Sequence, residues 1–137
     1  MEIYIGKKKL SNHDTLSVKE AKKVFRIKTI HDDFIYSVII YDIYAPSVEN
    51  PINSPYLHYL KVNINGDHDQ NGKIISNYKP PSPPPNSGNH KYIIDIYVQK
   101  NTIKMDAIAN RPKFNLESFV LKNNLKLFER FDFYVTS

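Results

Sequence analysis

Ten consecutive residues, Phe34 to Ile43, constrain this chain more than any other stretch. They read Phe-Ile-Tyr-Ser-Val-Ile-Ile-Tyr-Asp-Ile. Nearly all are β-branched or aromatic, side chains that fit a pleated, packed surface. No polar alternation splits the run into two faces, which predicts a strand buried on both sides. Asp42 falls at its end, where a carboxylate is costly unless paired or hydrogen-bonded. A second apolar run, His90 to Gln99, has two distinguishable faces. His90, Tyr92, Ile94, Ile96 and Val98 share one, expected to be the core face; Lys91, Ile93, Asp95, Tyr97 and Gln99 share the other.

The flanking stretches predict further strands. Met1 to Ile5 alternates weakly and reads as an edge strand, with the lysines after it discouraging further pairing. Ser17 and Glu20 have capping-box spacing for a turn or two of helix. Val24 to Thr29 alternates with period two, and His31-Asp32-Asp33 is a turn. In Leu57 to Ile64, the residues His58, Leu60, Val62 and Ile64 are expected to share the inward face. Asn65 to Gly72 is turn-rich, and Lys73 to Tyr78 reads as a short strand. Asn110-Arg111-Pro112 is expected to open one late helix, with Asn110 as cap and Leu116, Phe119 and Val120 on its buried side. Asn123-Asn124 ends it. Phe128 to Val135 closes the chain as a strand. Many strands, one good helix and no βαβ rhythm indicate a mostly-β sandwich.

Three polar positions lie beside backbone-restricting residues. Asp42 precedes Pro46, His58 follows Pro51 and Pro55, and His90 follows Pro83-Pro84-Pro85 and Gly88. The segment 79–89 holds five prolines in eleven residues, which excludes helix and inner strand. Lying between two strands, it reads as a structured loop. We expect the three positions to converge on one small polar pocket.

Bulk properties bound the function. The 137 residues fit one domain, 1–137, and need no staples. There is no cysteine, which excludes disulfides, zinc–thiolate sites and thiol nucleophiles. Met1 to Gly6 is too short an apolar run for a secretory signal, so a cytoplasmic protein is expected. The net charge is +5, and residues 1–28 carry eight Lys/Arg against three Asp/Glu, so the whole excess sits there. Such a face suits an anionic partner. It lacks the interleaved aromatics of a single-strand binder, and no nucleic-acid partner is expected.

At this point the residues carry a family likeness. Asp42-Ile43-Tyr44-Ala45-Pro46-Ser47, ten residues and His58 are similar to a signature Asp-Pro-Asp-x-Pro-Ser-x10-His. Residues 83–92, Pro-Pro-Pro-Asn-Ser-Gly-Asn-His-Lys-Tyr, are similar to Pro-Pro-x-Gly-Thr-Gly-x-His-Arg-Tyr. Arg111, Phe114 and Phe119 fit a looser third element. Over roughly residues 15–125 the chain thus resembles the phosphatidylethanolamine-binding protein family, which includes Raf kinase inhibitor proteins and plant flowering-time regulators. Ile43 and Tyr44 depart from the first signature and Asn86 from the second.

The resemblance implies an antiparallel β-sandwich with a small surface pocket for a phosphate-like anion or a phosphatidylethanolamine head group. By position, its walls would be Asp42, Ala45, Pro46, His58, Gly88, His90 and Tyr92, with Tyr56 where the family commonly has Trp. Partners implied are a protein kinase or other signalling protein, and peripheral membrane contact. No cofactor and no catalysis are expected. His58 and His90 would each donate to the anion, with Asp42 favouring a protonated histidine and hence tighter binding at mildly acid pH. Three other readings carry less: a two-histidine, one-carboxylate metal site, hydrolysis through Ser47 or Ser87, and a regulator whose working surface is the basic N-terminal face.

Overall fold

The computed structural model describes residues 1–28, 33–66 and 71–136. Thr29, His31 and Asp32 of the expected strand end and turn, and most of the expected polar turn before Gly72, lie outside them. In chain order the elements are β1 (Glu2–Ile5), β2 (Lys8–Lys9), β3 (Asp14–Leu16), α1 (Val18–Ala21), β4 (Phe25–Lys28), β5 (Ile35–Asp42), β6 (Tyr56–Ile64), β7 (Lys73–Ser76), β8 (Asn89–Gln99), α2 (Leu116–Lys122) and β9 (Lys126–Thr136).

The two apolar runs become neighbours. Strand β5 pairs antiparallel with β8, from Ile35↔Gln99 to Asp42↔Tyr92. Both sit inside a six-stranded sheet of order β3-β9-β8-β5-β6-β7. A smaller sheet of order β2-β1-β4 packs on one face. It buries Ile3, Ile5, Phe25 and Ile27 against Tyr36, Val38, Ile40, Ile94, Ile96 and Phe133. The expected mostly-β sandwich is therefore the observed architecture. Its one parallel pair among the described residues is β3 with β9.

Four local expectations are corrected. First, β1 is not an edge strand. Lys8 and Lys9 turn back and pair with Ile5 and Tyr4, so β1 lies between β2 and β4. Second, α2 begins five residues later than Asn110 suggested. Asn115 caps it, its side chain accepting from the Ser118 N–H at 3.0 Å, and within the helix only Phe119 is buried.

Third, the supposed outer face of β8 is covered. The connection to α2 and α2 itself lay Ile103 and Phe119 over Ile39, Tyr41, Leu60 and Tyr97. Asp95 consequently has 0% exposure. It is satisfied by Arg130 (2.6 and 2.9 Å) and by the hydroxyls of Tyr41 and Tyr97 (2.9 and 3.1 Å). A buried carboxylate persists only with such pairing.

Fourth, β6 does not keep strict alternation. Ile40 pairs with Tyr59 but Tyr41 with Leu57, so His58 is the extra residue of a β-bulge. Leu60 and Val62 fall in one core and Ile64 in the other. A bulge re-aims the side chains around it, and this one sits beside the end of β5 that carries Asp42.

Candidate functional site

The strand ends that carry Asp42, Tyr56, His90 and Tyr92 lie side by side, since Asp42 pairs with both Tyr56 and Tyr92. Above them fold the proline segments. The Ala45–Pro46 and Ser54–Pro55 peptides are cis. Together these pieces enclose a pocket of about 190 Å³ lined by Asp42, Ala45, Pro46, Tyr56, His58, His90 and Tyr92, with Asn53, Lys79, Pro80, Ser82, Pro83 and Pro84 completing the rim. Drug-sized ligands need roughly 300–1,000 Å³, so this volume suits a head group or small ion.

Of the eight positions singled out, seven meet here and Gly88 does not. It lines a neighbouring depression with Val48, Ser87 and Tyr134. Its φ is +98° and a Cβ would stand 2.7 Å from Val48 Cγ2, so backbone geometry and close packing account for the glycine. Asn86, where the likeness has glycine, takes φ +62°, a region asparagine tolerates better than most residues.

His90 is almost fully enclosed. Its Nδ1 lies 2.6 Å from Asp42 Oδ2, and its Nε2 lies 2.8 Å from Ser87 Oγ. The other Asp42 oxygen accepts the Tyr44 N–H at 2.7 Å. This is the connectivity of a Ser-His-Asp relay, but the hydrogens run the wrong way for one. A hydroxyl has a single hydrogen, and that of Ser87 points at the Pro84 carbonyl, 2.5 Å away. With its hydrogen so placed, the Ser87 hydroxyl does not offer it to His90 Nε2. Both His90 ring nitrogens are engaged inside the protein, so the expected donation from His90 to a ligand does not fit this geometry.

His58 is 5% exposed. Its Nδ1 sits 2.6 Å from the Lys79 carbonyl, while the Lys79 N–H donates to the His58 carbonyl at 2.8 Å. A carbonyl only accepts, so the hydrogen is on Nδ1. Burial lowers the His58 pKa to about 4, outweighing the Lys79 hydrogen bond and the Asp42 charge, which raise it. His58 is thus neutral between pH 5 and 8. Asp42 pairs with His90 rather than with His58, and at His58 desolvation outweighs the nearby carboxylate.

The positive charge comes instead from a residue the sequence reading passed over. Lys79 Nζ donates to the Tyr56 hydroxyl at 2.7 Å, and Lys79 is the one lysine or arginine among the described lining residues. Having accepted this hydrogen bond, Tyr56 keeps its own O–H to donate, as do the side chains of Asn53 and Ser82 on the rim. Burial, then Asp42, push the Tyr92 hydroxyl above the ordinary phenol range, so it stays protonated. Lys79 is the residue after Tyr78 in a proline-rich run, and nothing in its type or spacing marks it. Arg111 acts as a brace, donating to the Leu57 and Asn77 carbonyls at 3.0 and 2.8 Å. Among the described residues no three His, Asp or Glu side chains gather as a metal site.

A family model described as phosphatidylethanolamine-binding protein matches residues 16–130. Among curated proteins, "Putative odorant-binding protein A5" of Drosophila melanogaster is 38% identical over 71 residues, which make up 52% of this chain and 34% of that protein. Among solved structures, the chain matches a carboxypeptidase Y inhibitor complexed with its cognate proteinase. That match has a TM-score of 0.84 and 18% identity, over 99% of this chain and 82% of the other. It also matches phosphatidylethanolamine-binding protein from Plasmodium vivax, with TM-score 0.77 and 18% identity over 97% and 83% of the two chains. At such identities the structural likeness speaks for the fold alone.

Proposed function

The chain belongs to the phosphatidylethanolamine-binding protein family, and from that premise we infer that its pocket binds a small phosphate-like anion, free or as a head group, without turning it over. The observation that carries this reading is Lys79. Its ammonium and the Tyr56 hydroxyl converge at the mouth of a cavity of about 190 Å³, and charge-assisted donors are what a tetrahedral oxyanion needs. Binding rather than catalysis is favoured by the Ser87 hydrogen, committed to Pro84. Regulation of a kinase or of a membrane process would follow from what the pocket holds. Isothermal titration with inorganic phosphate and O-phosphoethanolamine tests the reading; no heat from either at millimolar ligand would end it.

A second reading has one observation behind it. The turn joining β1 to β2 carries Lys7, and the turn joining α1 to β4 carries Lys22, Lys23 and Val24, which is 62% exposed; the Gly6 N–H to Val24 carbonyl bond (2.8 Å) holds the two turns together. No ion pair within the described residues engages these three lysines. This tip suits an anionic partner. Binding through it would survive Lys79→Ala and weaken steeply with salt.

A further inference from the structure

We propose that the pocket selects ligands that bring a hydrogen to His58 Nε2, and so takes a protonated phosphate monoester in preference to an anion with no hydrogen to give. The inference rests on the anion-binding reading of the same site and names which anion.

The geometry begins at the Lys79 carbonyl. Because it occupies Nδ1–H at 2.6 Å, the remaining ring nitrogen holds a lone pair. That nitrogen makes no hydrogen bond to any described residue. It is also not sealed away, since Ser76 Oγ is the one fully buried side-chain polar atom without a partner among the described residues. His58 lines the pocket, so its lone pair opens into it.

An acceptor aimed at a ligand oxygen repels it unless that oxygen carries hydrogen, and an unmade hydrogen bond in a desolvated site is expensive. The surroundings reinforce the choice. Asp42 faces His58 from β5, Tyr92 and His90 from β8, Lys79 from the proline-rich loop and Arg111 from the connection before α2. Arg111 is spent on backbone carbonyls, and Asp42 with His90 forms a closed pair. One free positive charge, Lys79, therefore meets the ligand, which matches a monoanion better than a dianion. A phosphate monoester ionises a second time near pH 6, so its monoprotonated form is available at neutral pH. Sulfate has no such form there. A phosphodiester lacks the P–O–H hydrogen as well.

Four probes at one pH, 6.5, decide the matter: inorganic phosphate, O-phosphoethanolamine, sulfate and dimethyl phosphate. The first two should bind roughly tenfold or more tighter than the last two; the ratio between the first two separates free phosphate from its ethanolamine monoester, and dimethyl phosphate stands for the diester of an intact lipid head group. His58→Gln, whose carboxamide can present N–H, should bring phosphate and sulfate to within about twofold. Because that variant could lose its fold, the wild-type ring is also read by ¹⁵N NMR. A neutral Nδ1–H tautomer is expected, with Nε2 shifting on addition of inorganic phosphate. Equal affinity for sulfate and phosphate, or a hydrogen on Nε2 in the free protein, would overturn the selection while leaving anion binding intact. Failure of all four probes to bind would remove both.

Discussion

His58 and Lys79 hold each other twice. The Lys79 N–H donates to the His58 carbonyl at 2.8 Å, and His58 Nδ1 donates back to the Lys79 carbonyl at 2.6 Å. The clamp uses only backbone atoms of Lys79, so its ammonium is free to serve the pocket. It also fixes the tautomer of His58 and binds the proline-rich loop to the bulge in β6.

The first prediction concerns pH. The His58 pKa is lowered to about 4 in the folded protein from 6.5. Between these values the unfolded chain holds a proton that the folded one does not, so stability falls as pH drops through this window. The full effect is about 3 kcal/mol. Urea midpoints at pH 7 and pH 4.5 should differ by more in wild type than in His58→Gln. Parallel shifts in the two would remove His58 as the cause.

Lys79→Ala should separate binding from folding. Affinity for O-phosphoethanolamine should drop roughly tenfold, the worth of a charged hydrogen bond. Stability should move by no more than about 0.5 kcal/mol, since the exposed side chain is removed and the backbone clamp kept. Calorimetric titration alongside thermal melting reads both.

Asp42→Ala should do the opposite. It strips a buried pair and leaves His90 Nδ1 and the Tyr44 N–H without acceptors. The expected loss is about 3–5 kcal/mol, read from chemical denaturation. A loss under 1 kcal/mol would mean that the carboxylate is not what holds His90.

Gly88→Ala distinguishes a wall from a support. The new Cβ at φ +98° would meet Val48 Cγ2 at 2.7 Å, costing about 1–3 kcal/mol. Anion affinity of the folded fraction should change by less than about twofold, because Gly88 faces the neighbouring depression. A large affinity loss would return it to the pocket.

Much of the fold was legible from local chemistry. The β-branched runs of β5 and β8 are strands because few other conformations pack such side chains. Ser17 and Glu20 form both bonds of their capping box, at 3.1 and 3.0 Å. The boundary errors have a common source: Asn110 and Asn115 are both good caps, and nothing within a few residues of either decides between them. Likewise Asp95 has the pattern of a solvent-facing residue, and only the crossing of α2 and Arg130 over that face makes it buried.

The site divides the same way. Order along the chain places Asp42, His58, His90 and Tyr92 at or near strand ends, and the pairing of Asp42 with Tyr56 and Tyr92 brings those ends together. Which hydrogen each histidine carries, which cation meets the ligand and which glycine stands outside were decided by contacts between segments far apart in sequence. A carbonyl 21 residues away sets the tautomer of His58, and a lysine with no distinguishing neighbours supplies the charge. Hydrogen-bond roles depend on what lies within about 3 Å in space, and a linear pattern does not encode that distance.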